Sequence, residues 1–86
     1  MRILYFASVR EHAGLSEETV MPPADVADVR SLVVWLRARG GRPGAALADL
    51  RHIRIAVNQA HASLDHAVGP DDEVAFFPPI TGGRRQ

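Results

Sequence analysis

The residues best suited to chemistry lie close to the C-terminus, in the segment PPITGG at residues 78–83. Two prolines, each with a fixed φ, hold the start of this segment stiff and extended. An isoleucine and a threonine that a partner can grip come next, and two glycines then offer backbone without any side chain. Such a segment fits a narrow tunnel in another protein, where any Cβ would collide. We therefore predict a tail that inserts into a partner and consists of Pro78, Pro79, Ile80, Thr81, Gly82 and Gly83.

No other group of residues has the spacing of a catalytic or metal site. The four histidines occur singly, without the spacing of a zinc motif: His12, His52, His61 and His66. The acidic run at residues 71–73 is typical of a solvated turn, since a bound divalent ion needs oxygen ligands on all sides. The chain has no cysteine, which excludes disulfides, thiolate metal ligands and a cysteine nucleophile. We therefore expect no metal, no bound cofactor and no independent catalytic activity.

The length and charge of the chain restrict its class further. Its 86 residues are expected to form one small domain, in which one or two helices pack against one sheet. Ten arginines balance ten acidic residues, so there is no general attraction to nucleic acid or to a membrane surface. Charged residues interrupt the stretch MRILYFASVR too early for a signal peptide, and no apolar run approaches the about 20 residues of a membrane span. We therefore expect a cytoplasmic protein.

The first elements that the sequence predicts are a hairpin and a helix. Residues 2–9 are rich in β-branched and aromatic side chains and predict a strand, REHAGL with Gly14 predicts a turn, and residues 16–22 predict a second strand. The segment DVRSLVVWLRARGG at residues 28–41 predicts a helix in which Asp28 is the N-cap. Its apolar residues recur at the i, i+3, i+4, i+7 spacing of one buried face. They are Val29, Leu32, Val33 and Leu36.

The second half of the chain predicts a short helix at residues 43–50 and three strands. The strands are expected at residues 53–59, 61–64 and 73–77. Asn58 and Gln59 are expected to begin a turn, and Pro78 ends the last strand. Because a hairpin is antiparallel, this order favours a mixed sheet with the long helix across one face. That arrangement is the ubiquitin-like β-grasp of the α+β class. We predict a β-grasp domain at residues 1–79 and a flexible C-terminal Gly-Gly tail at residues 80–86.

Alternation of side chains along the first strand predicts which face of the sheet stays open. Arg2 prefers solvent, so Leu4 and Phe6, which share its side of the strand, are expected on the face without the helix. The opposite side of the strand is then expected to meet the helix and contains Ile3, Tyr5 and Ala7.

The same alternation separates the two adjacent phenylalanines of the last strand. Val74 and Phe76 are expected in the core, and Phe77 on the open face. An exposed patch that contains Leu4, Phe6 and Phe77 would suit a protein partner. The alternative is that a loop covers one of these aromatic residues.

Four stretches of the chain resemble the small subunit of molybdopterin synthase, a family of ubiquitin-like sulfur carriers. They are VNQ at residues 57–59, LDH at residues 64–66, DEVAFFPPITGG at residues 72–83 and ILYFASVRE at residues 3–11. The ending with FFPP followed by TGG is the most specific of them. The resemblance spans nearly the whole chain, although residues 21–53 share only its general pattern.

The resemblance implies a carrier without an active site of its own. In this family an ATP-dependent activating enzyme adenylates the terminal glycine, and a sulfur donor protein converts it to a thiocarboxylate. The large synthase subunit, expected in a heterotetramer with the small one, receives the tail and transfers the sulfur to cyclic pyranopterin monophosphate. The resemblance thus implies that Gly83 carries the thiocarboxylate and that Gly82, which has no side chain, lets the tail enter a narrow space. It also implies that Phe6 and Phe77 belong to the surface that both partners contact. His61 stands where the family often has an apolar contact residue.

The three residues after Gly83 depart from the family pattern. Arg84, Arg85 and Gln86 place the carboxyl group of Gly83 in a peptide bond, where it cannot become a thiocarboxylate. Three accounts remain open: a protease exposes Gly83, the residues are a natural or cloning remnant, or carrier activity has been lost. Two other functions also remain open, namely a related carrier for thiamine synthesis, tRNA thiolation or protein conjugation, and a β-grasp binding module without sulfur chemistry.

Overall fold

The computed structural model describes residues 1–79, and the predicted tail at residues 80–86 lies outside the described part. The elements follow in this order: β1 (Arg2–Tyr5), α1 (Ala7–Ala13), β2 (Glu17–Thr19), α2 (Val29–Ala38), α3 (Gly41–Ala46), a 3-10 turn (Leu50–His52), β3 (Arg54–Val57), β4 (Ala60–His61) and β5 (Glu73–Phe77). The strands form one sheet in the order β2-β1-β5-β3-β4. β1 is parallel to β5 and the other neighbouring pairs are antiparallel, so the mixed β-grasp sheet is confirmed.

One face of the sheet and one face of α2 form a single buried cluster. Asp28 is the N-cap of α2, as predicted, and its carboxylate accepts a hydrogen bond from the Ser31 backbone N–H at 2.8 Å. The apolar stripe of α2 is buried, which confirms the predicted face of the helix. Tyr5 and Phe76 lie fully inside the same cluster, with ring centroids 6.1 Å apart. The side chains that α2 and the sheet contribute include Ile3, Val29, Leu32, Val33, Leu36 and Val74.

The connection between β1 and β2 differs from the prediction. β1 ends at Tyr5 rather than at residue 9, and α1 occupies the rest of the predicted strand and most of the predicted turn. Ala7, with φ of 51°, turns the chain out of the sheet, and Gly14, with φ of 79°, caps the helix. Val9 and Ala13 are four residues apart and both buried, so a helix directs them to one inward side. The prediction of Ala7 as a core residue is wrong, because the strand has ended and Ala7 is exposed.

The other differences concern the limits of elements. β2 covers three residues of the predicted 16–22. β3 ends at Val57, and Asn58 and Gln59, both with positive φ, form the turn that the sequence predicted at these residues. β4 overlaps the predicted strand at residues 61–64 only at His61. α3 begins at Gly41 rather than at residue 43, and Pro43 lies in its first turn, where a missing N–H removes no helical hydrogen bond. β5 covers residues 73–77 as predicted.

A partly buried network joins β1, β2 and the end of α2. The hydroxyl of Tyr5 donates a hydrogen bond to Glu18 Oε2 at 2.8 Å. The guanidinium of Arg39 donates to both carboxylate oxygens of Glu18, at 2.9 and 3.2 Å, and stacks over the ring of Trp35. Burial alone would raise the pKa of Glu18, but the hydrogen bonds from Arg39 and Tyr5 and the charge of Arg39 hold it below its ordinary value.

We expect Glu18→Gln to lower the free energy of unfolding at pH 7 by about 1 kcal/mol, because hydrogen bonds to a partly exposed charge are lost. A folded-state pKa below the unfolded one means that this contribution is present above the ordinary glutamate pKa of about 4.3 and is lost as the pH falls below it. Urea unfolding should therefore show the stabilities of the wild type and Glu18→Gln converging as the pH falls from neutral through the ordinary glutamate pKa and below it.

The matched control for this prediction is Glu17→Gln. The side chain of Glu17 is 54% exposed, against 18% for Glu18, so its neutralisation should change stability little. A gap between the wild type and Glu18→Gln that stays constant over this pH range would contradict the prediction.

Candidate partner-binding face

The sheet face opposite α2 forms an open, largely apolar concavity of about 710 Å³. Leu4, Phe6 and Phe77 all line it, and none of them belongs to the buried cluster that contains α2. Side-chain alternation on β1 and β5 therefore predicted the open face correctly. This surface, which we call the open face, is lined by Arg2, Leu4, Phe6, Ala56, Gln59, Glu73, Ala75 and Phe77.

Two alanines form the floor of the open face. In the strand register Ala75 lies between Leu4 on β1 and Ala56 on β3, and Ala56 in turn lies opposite His61 on β4. Because an alanine side chain is a single methyl group, larger groups stand around this floor and leave it concave. Phe6 is 47% exposed at one end of the concavity and provides a large apolar contact for a partner.

One end of the open face is charged, and its charges are paired. Arg2 lies between two carboxylates, with Nε 3.3 Å from Glu17 Oε2 and Nη1 3.1 Å from Glu73 Oε1. Nearby, the side chain of Asn58 donates to Asp72 and accepts from the backbone N–H of Glu73. This end of the open face is therefore internally compensated, and the apolar area extends from it toward Phe6 and Phe77.

His61 lies at the edge of the open face beside Phe77. The two ring centroids are 5.7 Å apart with an interplanar angle of 70°, which is an edge-to-face contact. The His61 side chain is exposed, whereas Phe77 is only half exposed. The four residues predicted for a partner interface, Leu4, Phe6, His61 and Phe77, thus lie on one surface.

The predicted tail leaves the sheet at this same end. β5 stops at Phe77, and the half-buried Pro78 and Pro79 follow directly. The remaining predicted site residues lie outside the described part of the chain, and they are Ile80, Thr81, Gly82 and Gly83. A partner that covers Phe77 is therefore placed to receive the segment that follows it.

Two further residues belong to this surface although the sequence did not identify them. Ala56 lines the concavity, and Arg54 shares its side of β3 because the two residues are separated by one position. Arg54 is exposed and lies opposite Phe77 in the strand register. Alternation along the segment RIAV could have placed both residues on one face, but only the observed pairing with β5 shows that this face is the open one.

Within residues 1–79 no three metal-ligating side chains of histidine, cysteine, aspartate or glutamate come close enough to hold a metal ion. None of the helices in the same range is both long and apolar enough to span a membrane.

Comparison with known proteins identifies relatives of nearly full length. Residues 3–83 match the ThiS family. The molybdopterin synthase sulfur carrier subunit of Escherichia coli (strain K12) is 42% identical over 83 residues, which cover 96% of this chain and 99% of that protein. The Homo sapiens protein of the same name is 36% identical and covers 96% of this chain and 93% of its own length. The crystal structure of SAMP1 from Haloferax volcanii superposes with a TM-score of 0.74 at 28% identity, over 95% of this chain and 97% of that one.

Proposed function

The chain belongs to the ThiS family, and from this membership we propose that it is the sulfur carrier subunit of a molybdopterin synthase. The observation that carries the proposal is its 42% identity to the Escherichia coli carrier subunit over nearly the whole length of both proteins. The open face and the Gly82-Gly83 pair suit a protein that docks on partners and offers them its own end. By itself the chain is a carrier and not an enzyme.

In this proposal Gly83 is the reactive residue. Its carboxylate attacks the α-phosphorus of ATP on an activating enzyme and displaces pyrophosphate. The acyl adenylate that results is a better electrophile than the carboxylate, because AMP is a good leaving group. A persulfide on the donor protein then displaces AMP and forms an acyl disulfide with Gly83. A thiol of the donor cleaves the S–S bond, which releases the thiocarboxylate on Gly83 and leaves a disulfide on the donor. The chain needs no cysteine for this chemistry, because the sulfur is held on the main chain.

The large synthase subunit is the proposed acceptor of the loaded tail. Pro78 and Pro79 direct the tail away from the sheet, Ile80 and Thr81 are held by side-chain contacts, and Gly82 passes where a Cβ would collide. The large subunit then transfers sulfur to cyclic pyranopterin monophosphate, and two such transfers form the dithiolene that later binds molybdenum or tungsten. We place this reaction in the cytoplasm and the two kinds of subunit in a heterotetramer.

Docking would use the open face for both partners. Leu4, Phe6 and Phe77 present apolar surface that a partner can remove from water, at about 25 cal/mol per Å². The activating enzyme and the large subunit must each reach Gly83, so they would bind the same face in turn rather than together.

The three residues after Gly83 must be removed in this proposal. Hydrolysis of the peptide bond between Gly83 and Arg84 would release Arg84-Arg85-Gln86 and give Gly83 a free carboxylate. The match to the ThiS family ends at Gly83, which supports this residue as the working end.

The test is the intact mass of the chain isolated from its native host together with its activating enzyme. We expect a species that ends at Gly83 and is heavier than the carboxylate form by the exchange of one oxygen for sulfur. If cells with active molybdoenzymes contained only the unmodified chain that ends at Gln86, the proposal would be wrong. Rescue of molybdoenzyme activity in a carrier-deficient strain separates this function from a carrier for thiamine synthesis or tRNA thiolation, which would not rescue it.

A further inference from the structure

An arginine and a histidine border Phe77 at the point where the tail begins. Arg54 lies directly opposite Phe77 in the antiparallel pairing of β3 and β5. His61, on the neighbouring β4, contacts the Phe77 ring edge to face. Side chains opposite each other across antiparallel strands have Cβ atoms about 5 Å apart. A partner surface that covers Phe77 therefore also covers Arg54.

Neither side chain has a carboxylate partner within residues 1–79. The salt bridges of this part of the chain include neither Arg54 nor His61, and no side-chain hydrogen bond is formed by either. The carboxylate of Glu73, which lines the concavity, is held by Arg2 at the opposite end of the open face, and so is that of Glu17. Among the residues that the structure describes, no carboxylate therefore balances the charge of Arg54 at the end of the open face that carries Phe77.

We infer that the large synthase subunit carries an aspartate or glutamate that lies between Arg54 and His61 when the tail is inserted. This inference rests on the function proposed above. A partner that covers Phe77 removes water from Arg54, and an arginine that loses water without gaining an acceptor weakens the complex. A carboxylate in this position forms a salt bridge with the guanidinium and accepts a hydrogen bond from a ring N–H of His61.

The charge pair would also select the partner. Between its two ends the open face is largely apolar, and apolar contacts discriminate poorly between surfaces of similar shape. A carboxylate opposite Arg54 fixes the orientation of the carrier at the base of the tail, where a small rotation would displace Gly83 from its target. His61 stands in place of an apolar contact residue, and its ring N–H can donate a hydrogen bond to the same carboxylate.

The test is calorimetric titration of the large subunit of the same organism with the carrier, both as the full chain and as the chain that ends at Gly83. We expect Arg54→Gln to raise Kd about 5-fold and Arg54→Glu about 50-fold at low salt, with smaller effects at about 0.5 M NaCl. Each surface aspartate and glutamate of the large subunit is then changed to lysine. One of these variants should bind the Arg54→Glu carrier at least about 10-fold more tightly than the wild-type large subunit does.

The matched control is Arg30→Gln. Arg30 lies on α2, on the other side of the sheet, and its side chain is 55% exposed, so the variant changes the net charge equally without touching the open face. Its Kd should stay within about 2-fold of the wild-type value. A second variant, His61→Phe, keeps an aromatic ring beside Phe77 and removes both nitrogens. Its loss of affinity should be smaller in the Arg54→Gln background than alone, because both side chains contact one carboxylate.

The possible failures are distinguishable. If the wild-type carrier does not bind the large subunit in either form, the proposed function fails. If it binds but Arg54→Glu leaves Kd unchanged, or no charge change on the large subunit compensates, only the inferred carboxylate is wrong. Circular dichroism of the Arg54 variants confirms that they are folded, which is expected for an exposed residue.

Discussion

A chain that ends at Gly83 is expected to be adenylated and thiocarboxylated by its activating enzyme, whereas the 86-residue chain gives no product above background. The reason is chemical rather than structural. Adenylation needs a carboxylate oxygen as the nucleophile, and in the longer chain the carbonyl of Gly83 is part of an amide. The effect is therefore all or none, and it exceeds any that a change in docking affinity would produce.

The measurement uses purified activating enzyme, ATP and sulfur donor with no protease present. Release of pyrophosphate reports adenylation, and intact mass reports the thiocarboxylate. Gly83→Ala at the end of the shortened chain is the informative control, because it keeps the free carboxylate but adds a Cβ to the segment that must enter a narrow tunnel. Adenylation of the intact 86-residue chain under these conditions would show that the assignment of Gly83 is wrong.

The sequence predicted the elements in which local signals and burial agree. Asp28 caps α2, and the apolar stripe behind it is buried along its whole length. β5 begins and ends as predicted, because an acidic turn precedes it and Pro78 follows it. In both elements the propensity of the segment and its place in the core favour the same structure.

α1 could not be predicted, because its sequence is consistent with two structures. The segment that follows Phe6 continues the β-prone composition of β1, and Val9 would also suit a strand. What decides is tertiary burial of Val9 and Ala13 together, which only the helical period allows. The backbone turn at Ala7, with a positive φ on a residue other than glycine, leaves no signal in the sequence.

The candidate surface was predicted in part for a similar reason. Alternation along β1 and β5 identifies Leu4, Phe6 and Phe77. On β1 the charged Arg2 indicates the solvent side, and on β5 the apolar Val74 and Phe76 indicate the core side. The position of Arg54 depends on the register between β3 and β5, and pairing between strands distant in the chain is not encoded in any local pattern. The tail is a sequence prediction throughout, because residues 80–86 lie outside the described part of the chain.

The two adjacent phenylalanines of β5 allow an effect on stability to be separated from an effect on partner binding. Phe76 is fully buried beside Tyr5, and we expect Phe76→Ala to lower the free energy of unfolding by about 3 to 5 kcal/mol, since a large cavity is left in the core. For a domain whose total stability is of the order of 5 to 15 kcal/mol, such a loss leaves a marginal fold. Urea unfolding measures it directly.

We expect Phe77→Ala to weaken partner binding strongly and to change stability little. Phe77 lies on the open face and loses contact mainly with His61, so the free energy of unfolding should fall by less than about 1 kcal/mol. Affinity for the large subunit should fall at least about 30-fold, because a central aromatic contact of an interface commonly contributes about 2 kcal/mol or more. Since the two residues have the same side chain and adjacent positions, each is the control for the other. Equal losses of stability in the two variants would mean that Phe77, like Phe76, belongs to the core. The open face would then not be the docking surface.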